Sequence, residues 1–175
     1  MATVQLDLKK FIRDIPDWPK KGILFRDITP LLADPKAFPA TVDALCAPFF
    51  GLGVQYVAAV EARGFIFGSA VAERLGAGFI PVRKKGKLPG ATECATYELE
   101  YGVDTLEMHR DAIPRGAKVL MVDDLLATGG TMCAACELIA KVDAQVVGIA
   151  FVIELTDLQG RKKLAPHRIH TLISY

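Results

Sequence analysis

Apolar residues recur along the chain in two rhythms, and their alternation predicts most of its elements. Phe38, Val42, Leu45 and Phe49 fall at helical spacing and predict a helix over Asp34–Phe50. Phe65, Phe67, Ala70, Val71 and Leu75 do the same for Gly64–Leu75, which Gly76-Ala77-Gly78 stops. Met132–Val142 reads as a third helix and Leu6–Ile12 as a short amphipathic one. Compact apolar runs at Tyr56–Val60, Phe79–Val82, Val119–Val122 and Val146–Ile153 predict buried strands. Leu106–Met108 predicts a returning strand and His170–Ile173 a last one. Asp14–Leu32, broken by Pro16, Pro19, Gly22 and Pro30, reads as irregular chain with turns.

Strands separated by helices imply an α/β fold: a doubly wound, mainly parallel sheet flanked by helices, in one domain spanning residues 1–175. Such sheets bind ligands at the carboxyl ends of their strands. The loops after Val60, Val82 and Val122 are then expected on one edge. The second of them, Arg83–Gly102, is long, first basic and then polar, with alternation around Thr96–Tyr101 suggesting a strand near its end. Its length and its glycines at 86 and 90 suggest a flexible lid.

Composition narrows the class. The 175 residues are 51% hydrophobic and 23% charged, enough to bury a core, and the net charge of +1 offers no general attraction to nucleic acid or membrane. The first twenty residues carry charges of both signs without an apolar stretch, and no apolar run reaches membrane-spanning length. A cytoplasmic protein is expected. Cys133 and Cys136 form a C-x-x-C spacing inside the third helix, without a second pair, and read as packing residues rather than a zinc or redox site. His167 and His170 have no acidic or cysteine companions that would suggest a metal.

The densest chemistry lies in Val122-Asp123-Asp124-Leu125-Leu126-Ala127-Thr128-Gly129-Gly130-Thr131. Two acids close a strand, and a loop of small and hydroxyl residues opens a helix. Backbone N–H groups at such a turn can converge on one anion, helped by the helix dipole and by the hydroxyls of Thr128 and Thr131. Carboxylates suit vicinal hydroxyls instead. Phosphate beside a diol describes a ribose 5-phosphate. No Gly-Lys-Ser/Thr follows, as a Walker A loop requires, and the acids precede the glycines, unlike a dinucleotide fingerprint. In the first loop, Arg63 stands at a helix start, where a cation is unfavourable without an anion to bind. Arg83, Lys84, Lys85 and Lys87 put four cations in eight residues of the second loop.

The Asp123–Thr131 segment resembles the phosphoribosyl pyrophosphate (PRPP) motif of type I phosphoribosyltransferases. Together with Phe25-Arg26-Asp27-Ile28-Thr29-Pro30, Ala62-Arg63-Gly64-Phe65, Arg83–Pro89 and Leu99-Glu100-Tyr101-Gly102, in that order, the chain is similar to the adenine branch of that family. The resemblance implies an N-terminal hood over residues 1–33 and transfer of a phosphoribosyl group from PRPP to adenine, giving AMP and pyrophosphate. It implies that Phe25 stacks on adenine while backbone groups of Arg26 read its edge. Ala127, Thr128, Gly129, Gly130 and Thr131 would anchor the 5-phosphate, and Asp123 and Asp124 would orient the ribose hydroxyls. Arg63 and Lys87 would take diphosphate charge, with Glu61, Ala62, Arg83 and Lys84 also near the pyrophosphate. Glu100 would handle the proton at the purine.

The resemblance further implies a cis peptide near Glu61-Ala62 and a homodimer with Arg83 or its neighbours near the interface. Mg²⁺ would arrive on PRPP, with no metal held by protein side chains directly. Gln159 stands where many members have glycine, a difference with no evident consequence in the sequence. Two rival readings are a transferase for a 6-oxopurine (xanthine, guanine or hypoxanthine) and a non-catalytic PRPP-binding regulator. The chain shows neither the spare residues nor the excess charge of a DNA-binding regulator.

Overall fold

The computed structural model describes residues 6–98 and 102–175. In chain order the elements are β1 (Arg13–Pro16), β2 (Leu24–Asp27), α1 (Thr29–Ala33), α2 (Ala37–Cys46), β3 (Tyr56–Val60), α3 (Arg63–Leu75), β4 (Gly78–Lys84), β5 (Thr92–Glu98), β6 (Val103–His109), β7 (Lys118–Leu126), α4 (Gly130–Lys141), β8 (Gln145–Glu154), α5 (Gly160–Lys163) and β9 (Ile169–Ser174). Seven strands form one sheet in the order β5-β6-β4-β3-β7-β8-β9. From β4 to β9 the pairing is parallel, and β5 and β6 add an antiparallel edge.

The continuous apolar strands lie at the centre because helices cover both of their faces. On one face, Leu45 of α2 and Phe67 and Val71 of α3 pack with Val57, Leu120, Val122 and Val152. On the other, Met132, Leu138 and Ile139 of α4 pack with Val119, Met121, Ile149 and Phe151. Gly76, at φ 66°, ends α3, its amide and that of Ala77 returning to Glu73 and Ala72 carbonyls.

Several elements depart from the periodicity reading. The N-terminal helix is a 3-10 turn over Leu8–Phe11. The stretch read as irregular contains the β1–β2 hairpin and α1, whose start is held by Asp27 accepting from the Thr29 amide and hydroxyl. The helix expected over Asp34–Phe50 is shorter. Asp34 sits outside it as a cap, its carboxylate accepting from Lys36 N and Ala37 N at 2.8 Å, and the chain tightens to a 3-10 turn over Ala47–Phe49, with Pro48 at its start. The Arg83–Gly102 segment is not one loop. Its start belongs to β4, and Thr92–Glu98 pairs in register with all seven residues of β6. Leu99, Glu100 and Tyr101 lie outside the described residues.

Register sets the site. Val60 lies beside Val82, and Ala59 beside Val122, so β3, β4 and β7 deliver their following loops to one edge of the sheet.

Gly148 of β8 lies against the fully buried ring of Phe49, where an added methyl would collide with the ring carbons. Gly148→Ala is expected to cost about 1–3 kcal/mol, as overpacking does in a rigid core. Thermal unfolding should move down by several degrees while activity at low temperature persists; an unchanged midpoint would mean that Phe49 yields.

Candidate active site

β7 runs four residues past Val122. Its side toward β8 stays paired, Leu125 with Ile153 and Leu126 with Glu154, but its side toward β3 is unpaired after Val122 because β3 has turned away. Asp123 and Asp124 therefore lie within the strand, not after it, beside the gap where α3 begins. Gly64 makes that approach possible: a Cβ there would stand 2.6 Å from Asp123 Oδ1. Arg63 Nη2 stands 2.7 Å from Asp124 Oδ2, an ion pair whose angle does not make a hydrogen bond. The Asp124 side chain is only 7% exposed. Burial, reinforced by the charge of Asp124, holds the Asp123 carboxyl well above the usual carboxylate range. Burial also raises Asp124, against the pull of Arg63.

The peptide between Glu61 and Ala62 is cis, as the resemblance led one to expect. The Glu61 carboxylate turns toward the base of the β4–β6 edge, accepting from Lys84 N at 2.6 Å and from Arg83 Nη2 at 3.1 Å. Burial opposes its charge, but these donors prevail and its pKa falls. The side chains of Glu61 and Arg83 thus hold each other. Lys84 pairs with Asp104 at 3.1 Å. Lys87 lies in the exposed turn that follows β4.

The loop Ala127–Thr131 lines a pocket of about 100 Å³ together with Asp123 and Phe151. Gly129, at φ 81°, turns the chain into α4, whose N-terminus no side chain caps among the described residues. Its first amides are therefore placed to receive an anion. The helix begins at Gly130, two residues earlier than periodicity suggested.

Residues that the sequence reading did not single out shape this loop. A Cβ on Gly129 would stand 2.7 Å from Gly160 O, and one on Gly160 would collide with Ala127 O. Gly160 is held in place by Arg161, which donates to both carboxylate oxygens of buried Glu154, at 3.0 and 2.5 Å, and to Thr171 Oγ1. Gln159, the departure from the usual glycine, has φ 52°, the left-handed conformation that glycine adopts freely. From β5, the Tyr97 ring lies beside the start of α4, where a Cβ on Gly130 would stand 3.8 Å from it, and its hydroxyl donates to Asp104 at 3.3 Å. These are contacts between distant segments, and no local pattern announces them.

The base-recognition candidates reach the same place. Phe25 of β2 packs edge-on against Trp18 at 4.5 Å between centroids, and the Arg63 guanidinium stands 5.2 Å from the Phe25 ring. The Arg26 side chain is engaged elsewhere, paired with Asp14 and lying 3.6 Å over the Tyr175 ring. Its backbone is the part that remains, and among the described residues β1 is the one strand that pairs with β2, leaving its other backbone edge open.

Residues 50–172 match the phosphoribosyl transferase domain family. Adenine phosphoribosyltransferase of Acaryochloris marina is 54% identical over 170 residues, covering 97% of this chain and 100% of that one. A crystal structure of adenine phosphoribosyltransferase from Rhodothermus marinus is 49% identical, with a TM-score of 0.94 over 100% of both chains. The Saccharomyces cerevisiae enzyme, crystallised with adenine and an imino-altritol bisphosphate, is 43% identical, with a TM-score of 0.92 over 98% of this chain and 99% of that one. The chain belongs to the phosphoribosyltransferases, and within them to the adenine phosphoribosyltransferase family.

The raised carboxyl of Asp123 has a consequence for stability. Above the unfolded carboxyl pKa the unfolded chain holds fewer protons than the folded one, so stability falls as pH rises toward the raised folded value. Asp123→Asn removes that loss and keeps an oxygen for the Asp124 amide, which Asp123 Oδ1 accepts at 2.9 Å. The variant should unfold at a higher temperature than wild type at pH 8, the gain shrinking toward pH 4. Its phosphoribosyl transfer should fall by about a hundredfold. A lower unfolding temperature at pH 8 would contradict the direction of the shift.

Proposed function

We infer that the chain transfers the 5-phosphoribosyl group of PRPP to adenine, forming AMP and releasing pyrophosphate, and that the cleft edged by β3, β4 and β7 does this chemistry. The observation that carries the assignment of roles is the position of Arg63. One guanidinium touches Asp124 of the glycine-loop strand and faces the ring of Phe25, so sugar phosphate and base would meet across it.

In this reading Ala127, Thr128, Gly129, Gly130 and Thr131 hold the 5-phosphate, and Asp123 and Asp124 orient the ribose hydroxyls. An imidazole nitrogen of adenine attacks C1 of the ribose as the bond to the diphosphate breaks. Positive charge builds on the sugar, and negative charge on the leaving group is met by Arg63 and Lys87. No protein nucleophile is needed: binding both substrates in line and excluding water provide the rate. Phe25 stacks on adenine, the open edge of β2 at Arg26 pairs with it, and Glu100 takes the proton. Glu61 and Arg83 act on the diphosphate indirectly, by setting the base of the lid, with Ala62 and Lys84 beside them.

Mg²⁺ completes the proposal. Asp123 and Asp124 offer two carboxylates, one already paired with Arg63, and among the described residues no group of three or more acidic, histidine or cysteine side chains converges. That donor set fits an ion bound chiefly by water and PRPP oxygens. When bound, it would neutralise diphosphate charge. A cytoplasmic homodimer with Arg83 near its interface follows from the family resemblance. Among the described residues, no helix is long and apolar enough to cross a membrane.

Pyrophosphate release from PRPP and Mg²⁺ should occur with adenine and not with hypoxanthine, guanine or xanthine; turnover of a 6-oxopurine would sink the base assignment. Arg63→Ala should lower kcat/KM on the order of a hundredfold to a thousandfold. Equal turnover in that variant would remove Arg63 from the site.

A further inference from the structure

Glu107 is a buried acid in a strand of apolar neighbours. It is 4% exposed, between Leu106 and Met108, which are fully buried. Its charge is met by backbone. Oε1 accepts from Lys87 N at 2.9 Å and Leu88 N at 2.8 Å. Burial works against the charged form, but the backbone donors of the turn outweigh it and the carboxyl titrates below its ordinary value.

The donors belong to one tight turn. Lys87 N also reaches Lys84 O at 3.2 Å, Gly86 has φ 80°, and Arg83 Nη1 donates to Lys87 O at 3.3 Å. Consecutive amides aimed at one point make a concave anion site. Here a carboxylate of the protein fills it from the inner side. The turn's amides are therefore committed, and an external anion must be met by side chains. Arg83 and Lys84 are already paired with Glu61 and Asp104. Lys87, directly on the turn that Glu107 grips, forms no ion pair among the described residues.

We propose that Glu107 is a positioning residue for diphosphate binding: it fixes the Gly86–Leu88 turn so that Lys87 presents its ammonium to the diphosphate of PRPP. This rests on the reading of Lys87 as a diphosphate ligand. AMP lacks the diphosphate and serves as the internal control.

The test is calorimetric titration of the full chain with PRPP plus Mg²⁺ and, separately, with AMP. Glu107→Gln keeps the shape of the side chain and one oxygen that can accept from both Lys87 N and Leu88 N, but removes its charge. PRPP should bind about tenfold more weakly, the loss expected when hydrogen bonds to a charged acceptor become hydrogen bonds to a neutral one. AMP affinity and the KM for adenine should stay within about twofold. If Glu107 acts through Lys87, the double variant with Lys87→Ala should bind PRPP no more weakly than Lys87→Ala alone. Glu107→Asp, which keeps the charge on a shorter stem, asks the same question should the glutamine variant not fold. Equal weakening of PRPP and AMP, or full additivity with Lys87→Ala, would reduce Glu107 to a stability role and overturn the proposal. Unaltered PRPP binding would overturn it as well. A wild-type chain that does not bind PRPP would remove the underlying reading along with it.

Discussion

Two adjacent carboxylates held largely out of water need a cation, and the architecture of the site follows from supplying one. Desolvating two like charges side by side is expensive, and the raised titration of both aspartates records that cost. Arg63 meets it, and does so from the first residue of α3, where the helix dipole alone would disfavour a guanidinium. The acids hold Arg63 in place as much as Arg63 holds the acids. Gly64 brings the backbone of α3 close enough for this to happen, and the early departure of β3 leaves the opening into which both groups face.

Around that centre, the protein repeatedly satisfies charge with its own backbone or with a fixed partner before any ligand is present. Glu61 accepts the Lys84 amide, Glu107 the amides of Lys87 and Leu88, and Glu154 the forked donors of Arg161. Each of these acids is mostly or fully buried, and each ties a loop at the sheet edge to a strand. The opposite sign is left outward at Lys87 and at the uncapped start of α4. An edge whose inner acids are neutralised and whose outer groups are positive suits a polyanionic substrate.

Much of this was legible in the residues. The central strands are apolar runs and α3 an amphipathic helix, so the parallel sheet and the convergence of three loops followed from periodicity. The glycine loop and its aspartates were legible too, because their residue types are rare together. The β1–β2 hairpin was not: Arg13–Pro16 and Leu24–Asp27 are four-residue strands with charged ends, and their prolines and glycine read as loop. Nor was the β5–β6 pairing seen in full. Thr92–Glu98 has only Ala95 buried, so its alternation is faint, and its partner lies on the same antiparallel edge. Long-range compensation was invisible for the same reason. Glu107 looks like an acid misplaced in a strand until its donors, about twenty positions earlier, are brought to it.

The contact between Gly129 and Gly160 bears on when the site comes into being. The glycine loop packs backbone to backbone against a segment about thirty residues further along, itself clamped by Arg161 to Glu154 in β8 and Thr171 in β9. Such non-local contacts are formed late, because the entropy of closing the intervening chain must be lost first. A chain still being synthesised, or one folded only through α4, would present the aspartates and the glycines without the wall that shapes them. Affinity for a sugar phosphate then belongs to the completed molecule alone, and ligand binding would draw the folding equilibrium toward the intact C-terminal strands.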